Sequence, residues 1–211
     1  MILRAANLSA LKWLEHGFGT RLSVDWPPEP YANLRQVHSD IVVSAGAEAC
    51  GFLGDGDGLV TATPGLWIGV RTADCAPVIL ADPVRRAVAV IHAGWRGTVG
   101  MIVARAVARM GAEFGSRAAD LVGAVGPTIG PCCYEVGPEV ARQFAPWWPD
   151  AGDHVDIGGT LRLQLTELGL EQIEVTGGCT RCGSDRYHSF RRDGAASGRM
   201  ISAVQVNLGV D

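Results

Sequence analysis

Three residues that commonly ligate metals stand next to apolar segments of the chain. Cys75 comes just before the apolar run 76–80, and His92 comes just after the run 87–91. Short apolar runs bounded by turn residues are typical of buried strands. If these two runs form a hairpin, Cys75 and His92 become neighbours in space. His38, in a polar stretch that opens onto a β-branched run, is the third candidate. Two imidazoles and one thiolate suit zinc and leave a fourth position for water or substrate.

A second set of possible metal ligands competes with the first. It would be a closed structural site of four thiolates, Cys132, Cys133, Cys179 and Cys182. Against it, the chain has one CxxC motif, and adjacent cysteines rarely chelate one zinc ion together. A disulfide between the two pairs is a further alternative. The N-terminus lacks the pattern of a secretory signal, so we expect reduced thiols and a cytoplasmic location.

A glycine-rich turn follows His92 and leads into a helical pattern of apolar residues, 102–110. Such a turn before a helix is a good place for an anion. We expect Arg96 and the N–H groups of Gly97 and Thr98 to contact that anion, with Thr98 capping the helix. In another turn, G-D-G-D-G (54–58), Asp57 either orients a ligand or substrate or has a purely structural role.

The remaining pattern predicts a mixed α/β chain. Further strands are expected at 66–70, 121–125, 173–175 and 200–206, and further helices from Pro138 and over 157–168. The 211 residues are 47% hydrophobic, without repeats or linkers, which favours one domain over 1–211.

Charge and hydropathy argue against two classes of partner. The formal net charge is −4, with 18 basic and 22 acidic residues interspersed. No basic run predicts nucleic-acid binding, and no apolar run approaches the length of a membrane span. The chain could be a monomer or a homodimer.

Several blocks of sequence resemble the YfiH family, also called the multicopper polyphenol oxidase or laccase-domain family. Most of its members are described as purine nucleoside phosphorylases. The blocks, in order, are R-Q-V-H-S-D (35–40), G-D-G-L-V-T (56–61), T-A-D-C-A-P-V (72–78), H-A-G-W-R-G-T (92–98), G-P-T-I-G-P-C-C-Y-E-V-G (126–137) and H-S-F-R-R-D-G (188–194). One departure follows H-G-F-G-T-R (16–21), where a glycine-rich segment common in the family is missing.

The resemblance implies a four-layer αββα sandwich with its pocket at a zinc site of His38, Cys75 and His92. It also implies phosphorolysis of adenosine, inosine and methylthioadenosine, and deamination of adenosine. Zinc lowers the pKa of water that it binds, which suits the deamination. Copper could occupy the same site by substitution.

We assign further roles as hypotheses. Phosphate would be bound by three arginines, Arg35, Arg71 and Arg96, each of which could instead form an internal salt bridge. Asp74 would hold a ligand or a ribose hydroxyl. Three further residues are expected to line the pocket or its rim, namely Cys133, Glu135 and Arg191.

Three other functions remain as alternatives. A copper-dependent polyphenol oxidase would need roughly ten imidazoles, by a judgement based on the ligand preference of copper, and the chain has five histidines. A hydrolase of amide bonds, for example in cell-wall precursors, would use Cys75 as nucleophile and His92 as base. A zinc-stabilised interaction module without catalytic activity is the third.

Overall fold

The computed structural model describes residues 1–150 and 152–209. Its strands are β1 (Ile2–Leu3), β2 (Leu14–Gly19), β3 (Asn33–Arg35), β4 (Val42–Ser44), β5 (Phe52–Asp55), β6 (Gly58–Thr61), β7 (Ile68–Thr72), β8 (Ala76–Asp82), β9 (Ala87–Ala93), β10 (Val122–Val125), β11 (Gln172–Val175) and β12 (Met200–Val206). Its α-helices are α1 (Ala6–Ser9), α2 (Trp95–Val99), α3 (Ile102–Phe114), α4 (Pro138–Phe144), α5 (Ile157–Glu167) and α6 (Phe190–Asp193).

The predicted hairpin is confirmed as β8 and β9. The two strands pair antiparallel along their whole length, from Ala76 opposite Ala93 to Asp82 opposite Ala87. At the turn, the buried side chain of Asp82 accepts hydrogen bonds from the N–H groups of Val84 and Arg85. A carboxylate that binds the backbone two and three residues ahead stabilises a tight turn.

Two larger sheets stack on each other. The six-stranded sheet has the order β11-β10-β8-β9-β6-β4 and is mixed, with parallel pairs at both edges. The four-stranded sheet, β1-β2-β12-β7, is antiparallel. A separate parallel pair, β3 and β5, completes the strands among the described residues.

Alternating side chains of the hairpin place its two faces in different cores. Val78, Leu80 and Ile91 belong to a cluster with the buried face of α3, which contributes Ile102, Val103, Ala106 and Met110. Ile79, Val88 and Val90 point to the other face and pack in a cluster with residues of β2, β7 and β12. Both faces of β8 and β9 are therefore buried, which explains their continuous apolar sequence. This sandwich of sheets flanked by helices confirms the predicted fold class.

The helix after His92 differs from the prediction. It is split into the short α2 and the longer α3, with Met101 between them at a left-handed φ of 59°. Thr98 does not cap α3, because its hydroxyl and its N–H both donate to the carbonyl of Gly94. Among the described residues, no helix combines the length and the apolar character needed to cross a bilayer.

Candidate metal centre and its cavity

The structure brings His38, Cys75 and His92 together. One nitrogen from each imidazole and the sulfur of Cys75 lie within 4.8 Å of one another. The two imidazole rings meet edge to face, with their centroids 5.0 Å apart. Neighbouring N and S ligands of a tetrahedral zinc ion lie about 3.5 Å apart, so small side-chain shifts would let one ion contact all three.

Each of the three side chains is positioned by a different element. Cys75 directly precedes β8, and His92 lies in β9 opposite Pro77. His38 lies in the turn after β3, where its φ of 58° is in the left-handed region. Since β8 and β9 are neighbours, the hairpin fixes the first two ligands, and the turn must bring in the third.

Asp57 connects that turn to the hairpin. Its buried carboxylate accepts backbone N–H hydrogen bonds from Val37, His38 and Ser39 at 2.6–3.2 Å, and a bond from the hydroxyl of Ser39. The same carboxylate lies 2.7 Å from Nδ1 of His92, and the carbonyl of Asp57 accepts the N–H of His92. Because Nδ1 is engaged, Nε2 of His92 is the nitrogen left for Cys75 or a metal. A carboxylate behind a ligating histidine is a common feature of metal sites.

Asp57, His92 and Cys75 shift one another's pKa values towards the charged forms. Burial raises the pKa of Asp57, but hydrogen bonds from His92 and Ser39 outweigh this effect and lower it to about 2. Burial lowers the pKa of His92, but Asp57 and Cys75 raise it to about 9. Burial raises the pKa of Cys75, but the two histidines lower it to about 7. Two acidic groups, Asp57 and Cys75, thus flank His92 and favour positive charge between them.

Gly94 leaves the space in which the ligands meet. A Cβ atom at this position would lie 3.0 Å from the sulfur of Cys75 and 3.0 Å from Cδ2 of His38. Its φ of −79° and ψ of 179° are open to any residue. The glycine is therefore required by the close packing of the ligands and not by the backbone conformation.

A cavity of about 900 Å³ opens beside the three ligands, within the usual range of about 300–1,000 Å³ for small-molecule sites. Five arginines line it, namely Arg35, Arg71, Arg96, Arg191 and Arg199. Among the described lining residues, Asp74 is the one acidic residue. The cavity is therefore positively charged and suited to an anionic ligand.

Aromatic rings share this cavity with the arginines. Trp95, Tyr134 and Phe190 line it, and each ring is faced by an arginine. The Cζ–centroid distances are 4.4 Å for Arg96 on Trp95, 5.1 Å for Arg191 on Tyr134 and 5.9 Å for Arg199 on Phe190. Flat apolar rings beside cationic groups suit a ligand with both a planar and an anionic part.

The three predicted phosphate ligands differ in their surroundings. Arg35 makes two hydrogen bonds to Asp55, at 2.7 and 2.5 Å, so its charge is already paired. The guanidinium groups of Arg71 and Arg96 make no hydrogen bond to another described side chain. Arg71 and Arg96 are thus the stronger candidates for binding an anion.

Asp74 lines the cavity, but its carboxylate is occupied by protein groups. One oxygen accepts the hydroxyl of Thr180 and the other accepts the N–H of Arg191, both at 2.6 Å. Its carbonyl accepts the N–H of Ile129 and the hydroxyl of Thr128. The geometry makes Asp74 the residue that ties two loops to the cavity.

Four predicted site residues do not line the cavity. Gly97 and Thr98 are buried, and the N–H of Thr98 is bound to Gly94, so it cannot contact an anion. Cys133 faces Cys182, with the two sulfurs 3.4 Å apart. The backbone carbonyl of Glu135 accepts a hydrogen bond from the guanidinium of Arg191 at 2.8 Å.

The side chain between Cys133 and Glu135, Tyr134, faces the cavity instead, and sequence reasoning missed it. It also missed Arg199 and Phe190. Tyr134 and Phe190 lie within the family sequence blocks 126–137 and 188–194. Their aromatic character in these blocks is the feature that could have identified them from the sequence. Burial raises the pKa of Tyr134 to about 12, which keeps its hydroxyl protonated.

Comparison with known proteins places the chain in a family. The family model described as "Multi-copper polyphenol oxidoreductase laccase" matches residues 20–207. The chain belongs to this family. Its structure is also similar to the crystal structure of the Bacillus licheniformis hypothetical protein YfiH. The TM-score is 0.83 at 26% identity, and the match covers 93% of this chain and 94% of that one.

Curated relatives in this laccase-type family carry names of purine enzymes. One from Deinococcus radiodurans, named purine nucleoside phosphorylase, is 40% identical over 184 residues, which cover 83% of this chain and 70% of the relative. Another, from an unknown prokaryote, is named adenosine deaminase RL5. It is 37% identical over 161 residues, 70% of this chain and 61% of the relative.

Proposed function

We propose that this protein is a zinc-dependent enzyme of purine nucleosides. It would catalyse the phosphorolysis of adenosine, inosine and methylthioadenosine, and the deamination of adenosine. The observation that carries this proposal is the cluster of His38, Cys75 and His92 at a cavity lined by arginines and aromatic rings. The names of the relatives support the same class of substrate.

The residues present fit a catalytic zinc ion. His38, Cys75 and His92 would hold it, Asp57 would fix the orientation of His92, and three protein ligands leave a fourth position open. A zinc ion in this position would supply Lewis-acid chemistry.

The cavity has groups for both substrates of a phosphorolysis. Arg71 and Arg96 would bind phosphate and place it for attack on the anomeric carbon of the ribose. Trp95, Tyr134 and Phe190 offer faces on which the purine base can stack. Asp74 and Arg191 would shape the same cavity through the loops that they connect.

The products formed from adenosine test this proposal directly. We expect the purified protein to release adenine only when phosphate is present, and to form inosine with or without it. Chromatographic separation of the products distinguishes the two reactions. Absence of both products from zinc-loaded protein would contradict the proposal.

The role of Arg96 can be tested by substitution. Because charged hydrogen bonds contribute about 1.5–3 kcal/mol, we expect Arg96→Ala to raise the KM for phosphate by about 10–100-fold. Steady-state kinetics at varied phosphate measures this change. Arg109→Ala is the matched control, because Arg109 lies on α3, where it pairs with Glu113. An unchanged KM in Arg96→Ala would remove Arg96 from the phosphate site.

One observation favours a second candidate function. Asp57, His92 and Cys75 are adjacent in the order carboxylate, imidazole and thiol, which is also the arrangement of a cysteine hydrolase. An amide hydrolase of this kind would be active without zinc and inactivated by alkylation of Cys75. Activity that depends on zinc would exclude it.

The ligands do not favour a multicopper oxidase. Of the five histidines, His38 and His92 are the two that share a metal-ligating cluster within the described residues. His16 accepts the N–H of Ala5, and His154 pairs with Asp153. Two imidazoles can hold one ion but cannot build a site of several copper ions.

A further inference from the structure

A second group of metal-ligating side chains lies outside the cavity. The sulfur atoms of Cys132, Cys133, Cys179 and Cys182 are all within 4.8 Å of one another. The Cys132–Cys182 and Cys133–Cys182 sulfur distances are 3.8 and 3.4 Å. None of the four residues lines the cavity of the first cluster.

These sulfur positions fit one tetrahedral ion. With Zn–S bonds of 2.3 Å, the sulfurs of a four-thiolate zinc site lie about 3.8 Å apart. The iron atoms of an iron–sulfur cluster would separate its cysteines further than this. A disulfide needs a sulfur distance of about 2.05 Å, and all six cysteines are free thiols in the structure.

The local backbone explains how adjacent cysteines can share one ion. Cys132 and Cys133 lie in a tight turn, in which the N–H of Cys133 donates to the carbonyl of Gly130. In the facing turn, the N–H of Gly183 donates to the carbonyl of Cys179. Gly130 packs directly against the cluster, because a Cβ there would lie 3.4 Å from the sulfur of Cys132 and 3.3 Å from Cβ of Cys179.

We propose that these four cysteines form a second, structural zinc site, closed to substrate. Four thiolates saturate the ion, in contrast to the three ligands of the first cluster. Cys132 and Cys182 are exposed, which gives the ion a path of entry.

The site joins the two loops that shape one side of the cavity. Tyr134, which lines the cavity, follows Cys133 directly. Thr180 follows Cys179, and its hydroxyl binds Asp74. The zinc ion therefore cross-links the loop of Tyr134 to the segment that is anchored on Asp74.

Metal stoichiometry in the full-length protein tests the proposal independently of the reaction. We expect two zinc ions per chain in wild-type protein purified under reducing conditions. The double variant Cys132→Ser/Cys182→Ser should bind one ion, as should Cys75→Ala, and the combination of all three changes should bind none. Cys50→Ser is the control, since Cys50 is exposed and outside both clusters. A single zinc ion in wild type that the double variant retains would overturn the proposal, as would iron in place of zinc.

Thiol alkylation of the wild-type protein gives a test that needs no variant. In zinc-loaded protein we expect Cys50 to react rapidly with iodoacetamide, while the four clustered cysteines react only after a strong chelator is added. Peptide mass spectrometry assigns each modified thiol. The proposal fails if the clustered thiols react as fast as Cys50, or if they are found as disulfides, each lighter by two hydrogen atoms.

Discussion

A single carboxylate, that of Asp57, contacts both halves of the candidate catalytic site. It binds the backbone on either side of His38 and the ring of His92, although these residues lie 19 and 35 positions away in the sequence. The backbone carbonyl of Asp57 accepts the N–H of His92, and this bond extends the hydrogen bonding between β6 and β9. The position of two candidate metal ligands thus depends on one residue that does not line the cavity.

The substitution Asp57→Asn tests this dependence. The amide keeps the size of the carboxylate, but its NH₂ group would face N–H donors. We expect zinc affinity at the first cluster to fall about 10–100-fold, as is typical when the partner of a ligating histidine is lost. Competition with a chelator measures the affinity, and Cys75→Ala identifies which ion is lost. Asp55→Asn is the control, because Asp55 is exposed and pairs with Arg35. Equal zinc affinity in Asp57→Asn and wild type would contradict this role.

The substitution Gly94→Ala tests how closely the candidate ligands pack. The added Cβ would lie 3.0 Å from the sulfur of Cys75, so we expect the ligands to separate and zinc affinity to fall about 10-fold or more, equivalent to about 1.4 kcal/mol. The chelator competition described above detects the change. Gly46→Ala serves as the control, since a Cβ there would meet no atom within 4 Å. If both variants bound zinc like the wild type, the close packing at Gly94 would have no consequence.

Among the elements, the hairpin of β8 and β9 positions two of the candidate metal ligands, and turns, short helices and β7 supply the rest of the site. Cys75 and His92 are fixed by strand register, whereas His38 and Tyr134 lie in or after turns and Arg191 lies in the short helix α6. Hydrogen bonds to Asp57 hold the turn of His38 beside β9, and a hydrogen bond to Asp74 holds the start of α6 beside β8. Two buried carboxylates, which accept N–H and hydroxyl groups of these segments, therefore position them around the cavity.

A buried histidine in β2, His16, makes the stability of the fold depend on pH. His16 accepts the N–H of Ala5, at the start of α1, with Nε2. Burial, with a smaller contribution from Arg4, lowers the pKa of His16 from 6.5 to about 4. As the pH falls, the unfolded chain therefore binds this proton before the folded chain does. The stabilisation by neutral His16 is present above pH 6.5 and is lost as the pH falls towards 4.

We expect this titration to lower the free energy of unfolding by about 2–3 kcal/mol between pH 7 and pH 4.5. Urea unfolding of wild type and His16→Gln at both pH values isolates it, because the other titrating groups are common to both proteins. The pH dependence should be smaller in the variant by that amount. An identical pH dependence in both proteins would show that His16 does not titrate as described.

For the whole molecule, the parts predicted best were those carried by local pattern. The two apolar runs bounded by turn residues located the hairpin, and the ligand types at their ends identified Cys75 and His92. The final strand has the predicted bounds, 200–206. These features depend on the spacing of apolar and turn residues along the chain, which can be read directly from the sequence.

The parts that failed depend on contacts between distant segments. The pattern could not show that Thr98 would turn back to Gly94, nor that Tyr134 faces the cavity between two residues that do not line it. The sequence pattern disfavours the four-cysteine cluster because the chain has one CxxC motif and because two of the four cysteines are adjacent. Their approach to Cys179 and Cys182 is created by the fold, through the pairing of Thr128 with Cys179.

The main function proposed for this protein is nucleoside phosphorolysis that depends on a zinc ion held by His38, Cys75 and His92. Its most direct test is adenine release from adenosine and phosphate, with bound zinc quantified in the same samples, for wild type, Cys75→Ala and Cys50→Ser. We predict that Cys75→Ala loses turnover and one zinc ion, while Cys50→Ser retains both. Adenine release by Cys75→Ala at the wild-type rate would contradict the claim.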